Sequence, residues 1–158
     1  MSDLVVSFHL NGREVSLQGD SKQSLLDVLR NTFHLKATRM GCGQGACGAC
    51  RVMVDDHAVA ACDTPLWSVQ GKRITTVEGL GNREAPHALQ TAFIDEQAMQ
   101  CGFCTSGILM SAAALLKRQA HPTRQDIVQV LDGHLCRCGA HNRVIRAIEK
   151  AAHASTDA

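Results

Sequence analysis

The sequence predicts an α+β fold in which a small mixed sheet comes first and a set of helices follows. Two observations carry this prediction. Short alternating or β-branched segments crowd the first 77 residues, whereas beyond residue 87 the apolar residues recur at helical spacing. Between these regions residues 78–87, EGLGNREAPH, are rich in Gly, Pro and polar side chains, which is the composition of a linker. The expected division is therefore 1–79 for the strand-rich part and 80–158 for the helical part.

The first element alternates, with Leu4, Val6, Phe8 and Leu10 on one face. Asn11-Gly12 then supplies the positive-φ pair of a type I′ turn, and Val15 and Leu17 mark a return strand. From Ser24 to Phe33 the apolar residues Leu25, Leu26, Val28 and Leu29 fall at helical spacing, with Ser24 as N-cap and Asp27 as the first-turn acid. Three further strands are expected at RVMV (51–54), AVAAC (58–62) and RITTV (73–77), divided by the turn-like stretches DDH and QGK. Past the linker, helices are expected over 87–99, 106–119, 123–131 and 142–152. Pro86 and Pro122 stand at two of their starts, where a missing N–H does no harm. The closing HASTDA reads as a frayed tail.

Charge narrows the range of partners. Sixteen Lys and Arg oppose fifteen Asp and Glu, so no field of one sign favours nucleic acid or an anionic membrane. No run approaches the ~18 apolar residues of a membrane span. The opening MSDLVVSFHL has neither a basic n-region nor a small-residue cleavage site, so a cytoplasmic protein is expected.

The eight cysteines are the outlying feature. In a reducing compartment clustered cysteines bind metal or do redox chemistry in preference to forming disulfides. Cys42, Cys47 and Cys50 follow C-x4-C-x2-C, and Cys62 stands eleven residues further on, which is the plant-type 2Fe-2S spacing. Four glycines in GCGQGACGAC clear side chains from a backbone that must wrap closely around a cluster and point N–H groups at sulfur. Cys62 is expected at the end of a strand. The other four cysteines, Cys101, Cys104, Cys136 and Cys138, form a second set in the helical half. Each pair falls between two expected helices, so one four-helix arrangement brings both to a single site, near helix starts that favour thiolate charge. Zinc is the rival metal. Structural zinc rarely uses the C-x4-C-x2-C wrap, but C-x2-C with C-x-C fits either metal. The eight histidines read as surface or capping residues, with His141 beside the second set the exception worth testing, and Phe103 as cluster shielding or core. The basic pair Lys117-Arg118 reads as a solvated helix end.

The strings RMGCGQGACGACRVMVDD, QCGFCTSG and LCRCGAHNRVIRAIEKA resemble the small iron-sulfur subunit of the molybdenum hydroxylases, the xanthine dehydrogenase and aldehyde oxidoreductase superfamily. The resemblance covers about residues 4–152 and implies an N-terminal β-grasp 2Fe-2S ferredoxin-like domain followed by an all-α four-helix 2Fe-2S-binding domain. It implies one cluster on Cys42, Cys47, Cys50 and Cys62, and a second on Cys101, Cys104, Cys136 and Cys138. In that family a large subunit hydroxylates substrate at a molybdenum-pterin cofactor with oxygen from water. Electrons leave through the helical-domain cluster, then the ferredoxin-like one, to an FAD subunit or a cytochrome c module carrying haem c. Gln100 matches the family glutamine that hydrogen-bonds the pterin, and Cys138 the ligand beside that cofactor; local helix capping is the competing role for Gln100. Ser106 in CTSG replaces a common proline. CGAHNR after the last ligand is closer to the small chains of enzymes acting on nicotinate, isoquinoline and related N-heteroaromatics than to the xanthine dehydrogenase type. An electron-transfer subunit with no substrate chemistry of its own is expected, since no G-x-G-x-x-G opens a βαβ unit and no flavin motif appears. An aldehyde- or purine-oxidising complex is the alternative within the family. A ferredoxin-like domain fused to a zinc-stabilised helical binding module, or a free-standing ferredoxin, are the alternatives outside it.

Overall fold

The computed structural model describes residues 3–154. Five strands form one sheet in the order β2-β1-β5-β3-β4. β1 (Asp3–Leu10) and β2 (Arg13–Asp20) pair antiparallel through the Asn11-Gly12 turn, whose φ values of 50° and 81° are the positive pair that the sequence predicts. Alternation sorts β1 as expected: Val6, Phe8 and Leu10 are buried, while Val5 is exposed. Leu4, assigned to the same buried face, has its side chain outside what is described.

The helix that covers this sheet begins as α1 (Leu25–Asp27), capped by the Ser24 hydroxyl accepting from the Asp27 amide at 3.2 Å, and continues as a π-helical turn over Val28–Thr32. Leu25, Leu26, Val28 and Leu29 are all fully buried, and Phe33 meets Phe8 edge-on at 6.0 Å. The next strands are β3 (Arg51–Val54), β4 (His57–Ala60) and β5 (Arg73–Thr75). Asp55 and Asp56 supply the positive-φ pair of the β3–β4 turn. Carboxylate residues tolerate that region because their side chains bond locally. β5 lies between β1, which it meets in parallel, and β3, which it meets antiparallel.

Two strands are shorter than the sequence suggests. β4 ends at Ala60, and Ala61–Asp63 forms a 3-10 turn, so Cys62 sits in a turn rather than on a strand. β5 ends at Thr75 because the Thr76 amide turns to the Asn11 side chain instead of a neighbouring strand.

Four helices follow: α2 (Ala88–Asp95), α3 (Thr105–Arg118), α4 (Arg124–Leu131) and α5 (His141–Ala154). His87 and Thr123, each directly after a proline, cap α2 and α4 with reciprocal capping boxes. α5 continues through His153 and Ala154, so these two residues of the expected tail are helical; 155–158 lie outside the described residues. Leu89, Phe93, Ile108, Met110, Ile127 and Ile148 form the centre of the helical core. Met53 belongs to that core too, although it lies on β3, because α3 packs along the sheet. The two halves therefore share a continuous packed face.

Candidate metal centres

The loop after residue 40 contains no regular structure, and its shape comes from glycines and sulfur. Gly43, Gly45 and Gly48 all have positive φ. The turns they make aim amide groups at thiols: Gln44 N and Ala46 N lie 3.4 and 3.3 Å from Cys42 Sγ, and Gly45 N lies 3.2 Å from Cys62 Sγ. Those amides stabilise thiolate charge. The Cys42 thiol is accordingly pulled down to about 6, mainly by the Gln44 amide, while burial pushes the Cys50 thiol up to about 11.

No cysteine of this chain is in a disulfide. The thiols instead approach in pairs: Cys42 with Cys47, Cys50 with Cys62, Cys101 with Cys138, and Cys104 with Cys136. Among the described residues no three His, Cys, Asp or Glu side chains converge on a point where one ion could sit. A lone tetrahedral zinc needs such a point, whereas a 2Fe-2S unit needs two thiols at each iron. Two pairs per set thus suit a two-iron group.

The second set is built on helix ends. Cys104 occupies the N-cap position of α3, and the Cys136 thiol, just ahead of α5, is lowered, burial opposing the shift and the amides of Ala140, Cys138 and Gly139 driving it. The Phe103 amide lowers the Cys101 thiol, and burial raises that of Cys104 to about 12. Gln100 does not cap its own helix: its Nε2 donates to the Cys138 carbonyl at 3.1 Å and ties the two cysteine loops together.

The two sets are neighbours in space. The Leu135 amide donates to the Cys47 carbonyl at 3.0 Å. A cleft of about 300 Å³ between the sets is lined by Gly41, Cys47, Phe103, Cys104, Leu135 and Cys136. Its rim is apolar and open, with Leu135 69% and Phe103 46% exposed. Phe103 is therefore neither core nor fully shielding. Below the cleft Gly48 and Gly107 let backbone meet backbone. A Cβ on Gly107 would collide with the Gly48 carbonyl, and one on Gly48 would collide with His134 and come within 2.5 Å of the Gly133 carbonyl.

His134 departs from the sequence expectation of surface or capping histidines, being only 4% exposed. Its Nε2 lies 2.9 Å from Ser111 Oγ, and burial lowers its imidazole to about 4. His141, singled out beside the second set, places Nε2 3.3 Å from the His134 carbonyl. The roles of His134, Arg51 and Leu135 were not readable from spacing. Gly107, inside an otherwise apolar helix, was the one local sign of close backbone approach. Lys117 is exposed, as expected of a solvated helix end, and also pairs with Asp56 at 2.7 Å across the two halves.

Comparison with known proteins agrees with this arrangement. Residues 8–76 match the 2Fe-2S iron-sulfur cluster binding domain family, and residues 76–149 match the 2Fe-2S binding domain family. The chain is 46% identical over 147 residues to a nicotinate dehydrogenase subunit of Pseudomonas putida, covering 93% of this chain and 94% of that one. It superposes on a chain of quinoline 2-oxidoreductase from Pseudomonas putida 86 with TM-score 0.91 and 35% identity, covering 98% of this chain and 97% of that chain. It superposes on aldehyde oxidoreductase from Desulfovibrio gigas with TM-score 0.94 and 37% identity, covering 98% of this chain but only 17% of that longer one.

Proposed function

The chain belongs to the iron-sulfur subunits of the molybdenum hydroxylases, an electron-transfer role within an oxidoreductase, and on that premise we propose how its residues divide the work. Cys101, Cys104, Cys136 and Cys138 hold the cluster on the donor side, and Cys42, Cys47, Cys50 and Cys62 the cluster on the acceptor side. When bound, each 2Fe-2S cluster supplies a one-electron carrier, and the molybdenum-pterin centre of the large partner supplies the hydroxylation.

The observation that carries this reading is the arrangement of thiols in two sets of two pairs, with the Leu135 amide joined to the Cys47 carbonyl between them. This bond gives a short covalent and hydrogen-bonded route from Cys136 to Cys47. Backbone amides lower the thiols of Cys42 and Cys136, the Gly45 amide points at Cys62 Sγ from 3.2 Å, and the glycine contacts keep the two loops at a constant separation. The large subunit docks over the apolar rim at Phe103 and Leu135. There Gln100, exposed and oriented by its bond to the Cys138 carbonyl, would accept from the pterin through its amide oxygen. We keep the boundary between the two cluster-bearing domains in the 78–87 segment.

The substrate of the complex is an N-heteroaromatic compound of the nicotinate type, a reading supported by the resemblance to nicotinate dehydrogenase and quinoline 2-oxidoreductase chains. The final acceptor is an FAD subunit or a cytochrome c module.

Metal analysis and paramagnetic resonance on the reduced complex test the assignment. About four irons and four sulfides per chain, with two distinguishable 2Fe-2S signals, are expected. Two irons with one zinc would overturn it. Turnover of nicotinate-like compounds against aldehydes and purines by the isolated complex tests the substrate class.

A further inference from the structure

The chain reaches Cys42 through residues 36–38, a stretch with no helix or strand of its own. Its backbone groups are matched by charged side chains from two separate parts of the sequence. Arg30, on the π-helical turn, donates through Nη1 to the carbonyls of Lys36 at 2.9 Å and Thr38 at 2.6 Å, and Lys36 Nζ donates back to the Arg30 carbonyl. Between those two carbonyls the Ala37 amide donates to Glu78 Oε1 at 3.0 Å. A cation thus takes the carbonyls and an anion the amide of three consecutive residues, and hydrogen bonds with one charged partner are the strong ones. Among the described residues neither Arg30 nor Glu78 is in an ion pair, so no opposite charge draws them away.

Glu78 stands where the two halves join. It lies in the 3-10 turn Val77–Gly79, and its Oε2 accepts from the Thr76 hydroxyl at 2.7 Å. Asn11 in turn holds Thr76 at both its amide and its hydroxyl. Val77 before Glu78 and Leu80 after it pack against the core of the helical half. A Cβ on Gly79 would collide with the Asn11 side chain, so this turn also lies hard against the β1–β2 turn. One carboxylate therefore braces the approach to Cys42 against a turn seated on the helical core.

We propose that Glu78 and Arg30 are positioning residues for the passage of electrons between the clusters, an inference that rests on the assignment of one cluster to each cysteine set. The step moves one electron from the reduced donor-side cluster to the oxidised acceptor-side cluster, with no bond made or broken. Neither residue touches a ligand thiol. They act on the backbone that carries Cys42, and groups that hold a ligand's loop set that ligand's orientation. Because Glu78 belongs to a turn packed on the helical half, the loop is held relative to the other cysteine set and not only within its own.

The test compares Glu78→Ala, Glu78→Gln and Arg30→Ala in the cluster-loaded complex with the large subunit, by iron content, paramagnetic resonance and rapid-freeze measurement of inter-cluster transfer. Glu78→Ala should keep about four irons per chain and the helical-set signal. The acceptor-side signal and its magnetic coupling to the other cluster should change, and transfer should slow at least about threefold. Glu78→Gln, whose amide oxygen still accepts from Ala37, should restore both. Arg30→Ala frees the Lys36 and Thr38 carbonyls and should give the same pattern, which keeps the test decisive if Glu78→Ala does not load. Unchanged signals and transfer in Glu78→Ala, or a change that Glu78→Gln fails to reverse, would overturn the proposal. A single 2Fe-2S signal from the unsubstituted complex would instead overturn the two-cluster assignment, and this inference with it.

Discussion

The Leu135 amide donates to the carbonyl of Cys47, 3.0 Å away, while the Leu135 side chain projects 69% exposed at the rim of the cleft between the cysteine sets. One residue thus joins the two sets through its backbone and presents an apolar surface through its side chain. Leu135→Asp retains the amide and changes only the surface. We expect both cluster signals and inter-cluster electron transfer to persist, while affinity for the large subunit falls at least tenfold. Sedimentation of the reconstituted complex checks the affinity, and rapid-freeze paramagnetic resonance checks the transfer.

The glycines divide into two classes with different sensitivities. Gly43 has φ +70° but open space around it, so Gly43→Ala should cost only the left-handed conformation, about 1–2 kcal/mol. Gly48 has φ +78° and would also drive a Cβ into His134 and the Gly133 carbonyl, so Gly48→Ala adds overpacking of about 1–3 kcal/mol. Urea unfolding of the two variants side by side measures the difference. Equal losses would mean that the Gly48 contact yields freely.

Burial holds the thiols of Cys50 at about 11 and of Cys104 at about 12, so in the metal-free chain both are protonated at neutral pH. Loading must therefore release protons. Reconstitution yield should rise between pH 6 and pH 9, and Cys50→Ser and Cys104→Ser should each remove a different one of the two paramagnetic signals. Loss of the same signal in both variants would contradict the assignment of these cysteines to separate sets.

The Asp55 carboxyl is held below its ordinary value, first by the Arg73 amide at 2.9 Å and then by the Lys72 ammonium at 3.1 Å. The folded state therefore favours the carboxylate. Its stabilisation is present above the unfolded pKa of about 3.9 and disappears as pH falls through the lower folded value. The pair is well exposed and screened, so Asp55→Asn should cost under about 1 kcal/mol at pH 7 and nothing near pH 2. Thermal midpoints of both proteins across that range check the sign.

Gln100 is exposed and bonded to Cys138, so Gln100→Ala should leave the core and both cluster signals unchanged. Under the proposed role it slows reduction of the donor-side cluster by substrate while association with the large subunit stays within a few-fold. A change in association alone would assign Gln100 to loop geometry instead.

Which features were legible depends on how local their causes are. The Asn11-Gly12 turn, the Ser24 cap, and the α2–α5 starts rest on neighbouring residues and were readable within a few positions. The pairing of the β1 and β2 residues followed from alternation for the same reason. Cys62 was misplaced onto a strand because AVAAC is β-favouring by composition, while the turn that ends β4 includes the Cys62 thiol itself, aimed toward the Gly45 amide. The burial of His134 was hidden because Ser111 and Gly48, which surround it, are 23 and 86 positions away in sequence. The domain interface depends on such distant pairs, and a one-dimensional pattern contains no record of them.

The parallel pairing of β1 with β5 has a kinetic meaning. The Asn11 side chain bonds Thr76, 65 residues later, so the sheet closes only after the whole cysteine-bearing loop has been enclosed between its two ends. A chain emerging from the ribosome must leave β1 with one neighbour until β5 appears, and contacts of such long range slow folding. Closure before iron arrives would restrict entry to the Gly-rich loop, whereas iron bound early would shorten the search by drawing residues 42 and 62 together. Refolding monitored by Trp67 should accordingly run faster with iron and sulfide present than without them.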